Sequence, residues 1–246
     1  MGYALDLDGV VWLGDDPIPG AAAAVARLRS AGEPVVFCTN NSNHPVAAVE
    51  AKLADHGIAP EDGVITSAMA AAALVEPGER VLVCAGPGVV EALVGRGADP
   101  VRDGAADAVI VGMHLDFDYE RLRVAANAVL GGARLLATND DATYPTPDGP
   151  IPGGGAILAA VERATGARAT VAGKPHAPMA DLVRARLSSD GVMIGDRPET
   201  DGAFAVALGY RFALVLSGVV SSGEGVEPRP DLIAADLATA VDRLLA

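Results

Sequence analysis

Two aspartates lie two positions apart near the start of the chain, directly after a short apolar segment. Asp6 ends that segment, and Asp8 comes just before Gly9. In an extended chain both carboxylates therefore leave on the same side. Paired acids beside a glycine turn suit a divalent cation together with proton transfer. A turn in which aspartate bonds to the local backbone explains the same residues without any chemistry.

A second polar group follows the next predicted strand. Thr39, Asn40 and Asn41 come after the apolar run that ends at Cys38, and a predicted helix follows them. A hydroxyl and backbone N–H groups at the start of a helix can hold an anion. Serine, threonine and asparagine are also the usual N-cap residues. Capping is the simpler interpretation of this group taken alone.

A lysine between glycine and proline forms the third candidate. The 18 basic residues comprise 16 arginines and only two lysines, Lys52 and Lys174. Lys174 stands in the sequence Gly173-Lys174-Pro175, after a predicted strand. A compact ammonium in a tight loop indicates a site that needs a point charge. The alternative is a chance surface lysine, which describes Lys52 on its predicted helix better than Lys174.

Two further aspartates, five positions apart, form the fourth candidate. Asp196 follows the apolar run that ends at Ile194, and Asp201 stands at the start of the next predicted helix. Asp196 could complete a metal site, with Asp201 supporting the loop or the outer shell of the metal. Helix capping by Asp or Thr is again the alternative.

The elements that must position these groups alternate along the chain. Strands are predicted at 3–7, 34–38, 80–85, 108–111, 134–137, 170–172, 192–194 and 212–216. Helices are predicted at 20–31, 45–56, 67–75, 89–94, 119–130, 156–164, 178–187, 200–208 and 237–245. Repeated β-α units predict an α/β fold, in which helices cover both faces of a parallel sheet. Because ligands bind at the carboxyl ends of such strands, the four groups can converge.

Composition excludes several classes of function. The 246 residues carry 18 basic and 32 acidic side chains, a net charge of −14. Binding to nucleic acid requires a basic face, and binding to anionic lipid does too, so we expect neither partner. Hydrophobic residues make up 50% of the chain, enough for a sizeable core.

The two cysteines, Cys38 and Cys84, lie in apolar runs and are predicted to be buried thiols. With no signal pattern at the N-terminus, a cytoplasmic location is predicted.

Taken together, the four groups resemble the motifs of the haloacid dehalogenase-like hydrolase superfamily. The closest likeness is to the branch of nucleotide, 4-nitrophenyl, pyridoxal and glycerol phosphate phosphatases. Order and spacing agree over nearly the whole chain. Further matching stretches are Pro17-Ile18-Pro19-Gly20-Ala21, Thr66-Ser67-Ala68 and Ala137-Thr138-Asn139. The resemblance implies a Rossmann-like core, at 1–77 and 171–246, and an inserted α/β cap domain of the C2 type at 78–170.

The resemblance also assigns a role to each matching residue. Asp6 is the expected nucleophile and Asp8 the general acid and base. Thr39 and Asn41, with the backbone of Asn40, hold the transferred phosphoryl group together with Lys174. The Mg²⁺ ligands are the Asp6 side chain, the Asp8 carbonyl and Asp196, and Asp201 is a supporting acid. These assignments imply a phosphatase that acts on a small phosphorylated metabolite through an aspartyl-phosphate.

The implied cap would choose the substrate. Within its Pro-rich loop, 139–153, the segment 139–145 is predicted to face the substrate, with Tyr144 and Asn139 as candidate specificity residues. Packing of Tyr144 inside the cap, and of Asn139 within the loop, are the alternatives. A homodimer joined through the cap is also implied. Two other functions stay open at this point: a phosphotransferase or mutase that uses the same intermediate, and a non-catalytic phosphate-ester binding protein.

Overall fold

The computed structural model describes residues 1–146 and 148–246. Pro147, within the predicted loop 139–153, lies outside the described residues. The strands are β1 (Gly2–Leu5), β2 (Trp12–Leu13), β3 (Asp16–Pro17), β4 (Val35–Thr39), β5 (Val64–Thr66), β6 (Arg80–Cys84), β7 (Asp99–Val101), β8 (Ala108–Val111), β9 (Arg134–Ala137), β10 (Thr143–Tyr144), β11 (Ile151–Pro152), β12 (Thr170–Val171), β13 (Gly191–Gly195), β14 (Arg211–Val215) and β15 (Leu232–Ala234).

The helices alternate with these strands. They are α1 (Ala21–Ser30), α2 (Val46–Asp55), α3 (Ser67–Ala72), α4 (Pro87–Arg96), α5 (Tyr119–Leu130), α6 (Gly154–Thr165), α7 (Ala177–Arg184), α8 (Ala203–Leu208) and α9 (Leu237–Leu244), with one π-helical turn at Pro198–Gly202. Over 1–146 and 148–246, no helix combines the length and the apolar character needed to cross a membrane.

Six strands form a parallel sheet in the order β15-β14-β13-β1-β4-β5. The central strands β1 and β13 are buried along their whole length, as expected where helices cover both faces of a sheet. Helices α1, α2 and α9 supply buried side chains to one face, and α3, α7 and α8 supply them to the other. The carboxyl ends of β4, β1 and β13 are therefore neighbours at one edge, as the α/β prediction requires.

A second parallel sheet has the order β12-β9-β8-β6-β7. Helices α5 and α6 cover its outer face with residues such as Ala125 and Val161. Its inner face belongs to the same buried apolar cluster as the first sheet. Val83 and Ile110 of the second sheet share this cluster with Ala4 and Met193 of the first sheet. We call it the intersheet cluster. It joins the two sheets through continuous apolar packing.

Sequence patterning located most of these elements. Strands β8 and β9 and helix α5 have the predicted bounds. The missed elements are short, and they lie at sheet edges or in hairpins: β2, β3, β5, β7, β10, β11 and β15. Strand β7 contains Pro100, which removes a donor and is tolerated at an edge. Both cysteines are buried free thiols, as predicted.

The predicted boundary between the cap (78–170) and the core (171–246) divides strand β12. Val171, at the start of the predicted core segment, belongs to β12, which pairs with β9 of the second sheet. Lys174 therefore reaches the site from the edge strand of the second sheet. The other three motifs follow strands of the first sheet.

Candidate active site

Three neighbouring strands of the first sheet bring the acidic and hydroxyl groups together. Asp6 follows β1, Thr39 ends β4, and Asp196 follows β13. The N–H of Asp6 donates to the carbonyl of Ile194 at 2.9 Å, which extends the β1–β13 pairing up to the site. The backbone of the central sheet thus fixes where Asp6 and Asp196 emerge.

Lys174 lies between two carboxylates and is almost fully buried. Its Nζ donates to Oδ1 of Asp6 and to Oδ1 of Asp201, each at 2.7 Å. Only 1% of the Lys174 surface is exposed, so these two bonds replace its hydration. Burial alone lowers the pKa of Lys174, but the carboxylates of Asp201 and Asp6 outweigh burial and hold it well above its usual value. Lys174 is thus a fixed positive charge beside Asp6.

The π-helical turn Pro198–Gly202 aims Asp201 back at the site. Oδ2 of Asp201 accepts the backbone N–H groups of Asp196 and Arg197, each at 3.1 Å. A Cβ at Gly195 would collide with the Asp201 side chain, so glycine permits this close approach. Both oxygens of Asp201 are occupied by these bonds and by Lys174. Asp201 therefore holds its neighbours in place, as the predicted supporting role requires.

The acidic groups fit a divalent cation. Carboxylate oxygens of Asp6, Asp196 and Asp201 lie within 4.8 Å of one another. Oδ2 of Asp196 accepts the N–H of Val219 at 2.7 Å, whereas Oδ1 is buried and has no hydrogen-bond partner in the described part of the chain. A buried carboxylate oxygen without a partner is costly. A hard cation that takes oxygen ligands would satisfy it.

Burial opposes negative charge at this edge of the sheet. It raises the pKa of Asp196 to about 7, with a further contribution from the charge of Asp201, and the N–H of Val219 acts against the rise. Burial also raises the pKa of Asp6 well above its usual value, and the Lys174 ammonium opposes that rise. Lys174 and the charge of Arg197 oppose these rises only in part, which leaves room for additional positive charge.

Asp8 lines the same cleft as Asp6 and Lys174. Its Oδ1 accepts the hydroxyl of Tyr144 at 3.0 Å and Nε1 of Trp12 at 3.1 Å. Burial raises the pKa of Asp8, and the two hydrogen bonds oppose the rise. A carboxyl group with a raised pKa is more readily protonated near neutral pH, as a general acid must be. The Asp8 carboxyl thus has hydrogen-bond partners different from those of the acids that surround Lys174.

The Thr39–Asn41 segment is folded by bonds within it. The N–H of Asn41 donates to Oγ1 of Thr39 at 3.0 Å, and Oδ1 of Asn41 accepts the N–H of Asn43 at 3.0 Å. These bonds lie within the loop and do not cap helix α2, whose N-cap is Pro45 and has no side-chain cap hydrogen bond. The capping interpretation of this segment is therefore wrong. Thr39 and Asn41 line the cleft that contains Asp6 and Lys174, a position compatible with the predicted anion site.

Asn40 connects the two sheets. Its Oδ1 accepts the N–H of Lys174 at 2.8 Å, and its Nδ2 donates to Oδ2 of Asp141 at 2.9 Å. Its carbonyl accepts Nδ2 of Asn139 at 2.8 Å. The loop that carries Asn139 and Asp141 is thus tied to the phosphate-binding candidates. Asn139, predicted as a specificity residue, lines the cleft and also holds this loop.

Two contributors are absent from the predicted site residues. Trp12 donates to Asp8, and Asp141 lines the cleft. A signal existed for Trp12, because it is the one tryptophan in the chain and stands four residues after Asp8. Asp141 gave no such signal, since its contact with Asn40 spans 101 positions.

Comparisons with known proteins agree with this geometry. A profile of haloacid dehalogenase-like hydrolases matches residues 3–99, and a HAD-hydrolase-like profile matches residues 171–240. The D-glycerol 3-phosphate phosphatase of Mycobacterium tuberculosis is 37% identical over 245 residues, which cover 95% of this chain and 69% of that protein. The acid sugar phosphatase of Staphylococcus haemolyticus is 34% identical over 252 residues, covering 99% and 96%.

Solved structures show the same likeness. The glycerol phosphate phosphatase of Mycobacterium tuberculosis in complex with magnesium superposes with a TM-score of 0.89 at 34% identity, covering 97% of this chain and 75% of that one. The 4-nitrophenylphosphatase of Thermotoga maritima gives a TM-score of 0.91 at 28% identity, covering 98% and 96%. The chain therefore belongs to the haloacid dehalogenase-like hydrolases, in the branch that includes these phosphatases.

Proposed function

We propose that this protein is a magnesium-dependent phosphatase that hydrolyses a small phosphomonoester through an aspartyl-phosphate on Asp6. The observation that carries the proposal is the surroundings of Asp6. Lys174 bonds to it at 2.7 Å, and beside it lies Asp196, whose buried Oδ1 has no partner among the described residues. With a divalent cation held by these acids, the site would place positive charge where a phosphate ester carries negative charge.

The first step would transfer the phosphoryl group to the protein. A carboxylate oxygen of Asp6 forms a bond to phosphorus, and the bond between phosphorus and the ester oxygen breaks. The leaving oxygen takes a proton from Asp8, whose raised pKa favours the protonated form. Lys174 and the Thr39–Asn41 segment would hold the equatorial oxygens during transfer.

The second step would regenerate the nucleophile. Asp8, now ionised, takes a proton from a water molecule as that water attacks phosphorus. The bond between phosphorus and the Asp6 oxygen breaks, and inorganic phosphate leaves. The Asp6 and Asp196 side chains and the Asp8 carbonyl would hold Mg²⁺, which neutralises charge on the phosphoryl oxygens.

We also propose that residues 78–170 act as a cap that excludes water and selects the substrate. Its support is the position of Tyr144, whose hydroxyl contacts both Asp8 and Asn41. A leaving group that accepts a proton from Asp8 would therefore lie near this ring. The relatives are named as a glycerol 3-phosphate phosphatase, an acid sugar phosphatase and a 4-nitrophenylphosphatase, so glycerol phosphate, sugar phosphates and 4-nitrophenyl phosphate form the first substrate panel.

Phosphate release from 4-nitrophenyl phosphate tests the nucleophile. Activity should require Mg²⁺ and fall below detection in Asp6→Asn. Asp16→Asn is the matched control, because Asp16 carries the same charge on the exposed strand β3, and it should retain wild-type activity. Full activity of Asp6→Asn would refute the assignment.

Two sequence expectations extend the proposal. A homodimer through the cap is supported by Leu115 and Tyr119, which are 78% and 80% exposed there. Light scattering on the wild type and on Tyr119→Ser would test it, because the substitution should shift a dimer toward monomer. A cytoplasmic location is supported by two buried, unpaired thiols, and fractionation of cells would test it.

A further inference from the structure

A second cavity adjoins the catalytic cleft. It has a volume of about 420 Å³, within the size range of small-molecule sites. The residues that line both spaces are Asp8, Thr39, Asn41, Tyr144 and Pro145. Asp8 is the proposed proton donor to the leaving oxygen, so a leaving group can extend into this cavity. We call it the Trp12 pocket.

The Trp12 side chain extends from the catalytic acid to a cation. At one end, Nε1 donates to Oδ1 of Asp8 at 3.1 Å. Nζ of Lys52 lies 4.7 Å from the centre of the Trp12 ring. The ammonium thus lies over the ring whose Nε1 bonds to Asp8, so a leaving group in this pocket comes near both groups.

Lys52 retains capacity for a ligand. Its Nζ donates to the carbonyl of Gly14 at 2.6 Å and to Oδ1 of Asp15 at 3.4 Å. An ammonium has three protons, so at least one stays available. The Lys52 side chain is 31% exposed, and the Asp15 side chain is fully exposed, which makes Asp15 a weak competitor. The charge of Lys52 also reaches Asp8, where it opposes the rise in pKa that burial causes.

The positive charge of Lys52 is unusual in so acidic a chain. The chain has a net charge of −14 and only two lysines. One of them, Lys174, contacts the nucleophile, and the other lines the pocket for the leaving group. An overall negative field repels anionic substrates. The Lys52 ammonium in this pocket offsets that repulsion for a leaving group that is itself anionic.

We propose that Lys52 selects phosphomonoesters whose leaving group carries a second anionic group, such as a carboxylate, at the end remote from the ester oxygen. This inference rests on the proposed phosphatase function. It goes further by naming a substrate class and the residue that recognises it. The rest of the leaving group packs along Trp12, Tyr144 and the apolar side chains of Leu7 and Val49, which line the same pocket.

Two aryl esters test the proposal. Phenyl phosphate and 4-carboxyphenyl phosphate differ only in a carboxylate at the far side of the ring. The measured quantity is the carboxylate preference, defined as the ratio of kcat/KM for the second ester to kcat/KM for the first. Lys52→Met should lower this ratio roughly five- to tenfold, whereas Lys52→Arg should keep it within about twofold of wild type because the positive charge is retained.

Arg168→Gln is the matched control. Arg168 is an 88% exposed cation that pairs with Glu162 on α6, so its removal changes the net charge equally and should leave the ratio unchanged. An equal ratio in wild type and Lys52→Met would overturn the proposal. If wild type hydrolyses neither ester, the phosphatase function itself fails, which is a separate result.

Salt dependence decides the question without any variant, should Lys52→Met not fold. If Lys52 attracts the carboxylate, raising NaCl to 1 M should lower the wild-type ratio by screening that attraction. If the net negative charge alone governs the ratio, the same salt should raise it by screening repulsion. A rise, or no change, would therefore refute a role for Lys52.

Discussion

Asp196→Asn should make the metal-free protein more stable while abolishing its response to Mg²⁺. Asp196 is 1% exposed, and its Oδ1 has no partner within the described residues. The substitution keeps the shape of the side chain and keeps an oxygen that can accept the N–H of Val219. It removes one negative charge from a cluster that also contains Asp6 and Asp201.

The size and sign of this stability change follow from the pKa of Asp196. Burial raises the pKa of Asp196 from 3.8 to about 7, so the folded state binds this proton more tightly than the unfolded state. Asp196 does not change the free energy of unfolding below pH 4, where it is protonated in both states. Its ionisation lowers that free energy as pH rises between about 4 and 7, and the free energy stays reduced above pH 7. At pH 8 the ionised group costs roughly 4 kcal/mol. Asp196→Asn should recover about 2–4 kcal/mol in EDTA, depending on how well the amide is accommodated.

Urea unfolding at pH 8 measures this difference, with EDTA or with Mg²⁺. Wild type should gain about 2.7 kcal/mol when free Mg²⁺ is at a hundred times its dissociation constant, and Asp196→Asn should gain little. Asp190→Asn provides the control, because Asp190 is an exposed aspartate just before β13. Its unfolding and its Mg²⁺ response should match those of wild type.

Two outcomes would refute this reasoning about Asp196. One is a loss of several kcal/mol in EDTA, which would mean that the carboxylate stabilises the fold without metal. The other is equal stabilisation of wild type and Asp196→Asn by Mg²⁺, which would place the cation elsewhere.

Three further outcomes follow from contacts in the structure. Lys174→Met should lower the free energy of unfolding by about 3–5 kcal/mol, since it leaves buried carboxylates without their counter-charge; a loss below 1 kcal/mol in urea unfolding would contradict the buried ion pairs. Tyr144→Phe removes the hydroxyl that orients Asp8, so steady-state kinetics should show kcat/KM falling about five- to tenfold while stability changes by about 1 kcal/mol or less; unchanged kinetics would show that this contact is dispensable. Burial raises the pKa of the Cys38 thiol to about 12 and that of the Cys84 thiol to about 11. Neither thiol should therefore react with Ellman's reagent at pH 8 until guanidinium unfolds the chain. Rapid labelling of the native protein would show that a thiol is accessible.

The residues of the first sheet's edge were predictable because their positions follow from the strands. Each of Asp6, Thr39 and Asp196 comes at the end of a buried apolar run, and parallel strands place such ends together. Lys174 could also be identified as a site residue from the sequence, because lysine is rare in this chain.

Other features could not be predicted from local patterns. The pairing of Val171 with Ala137 depends on which sheet a short strand joins, and two residues carry too little periodicity to decide it. The bond from Trp12 to Asp8 depends on how the β2–β3 hairpin folds back. The wide turn at Pro198–Gly202 replaces the first turn of a predicted helix, because Oδ2 of Asp201 bonds to two backbone N–H groups of the preceding loop.

The intersheet cluster constrains how substrates enter and products leave. A hinge motion that separated the sheets would expose buried residues such as Val83 and Leu93 to water, at about 25 cal/mol for each Å² of apolar surface. The segment Asn139–Tyr144 instead meets the catalytic side through hydrogen bonds to Asn40 and Asp8, each contributing roughly 1 kcal/mol. A local displacement of that segment therefore costs less than a separation of the two sheets.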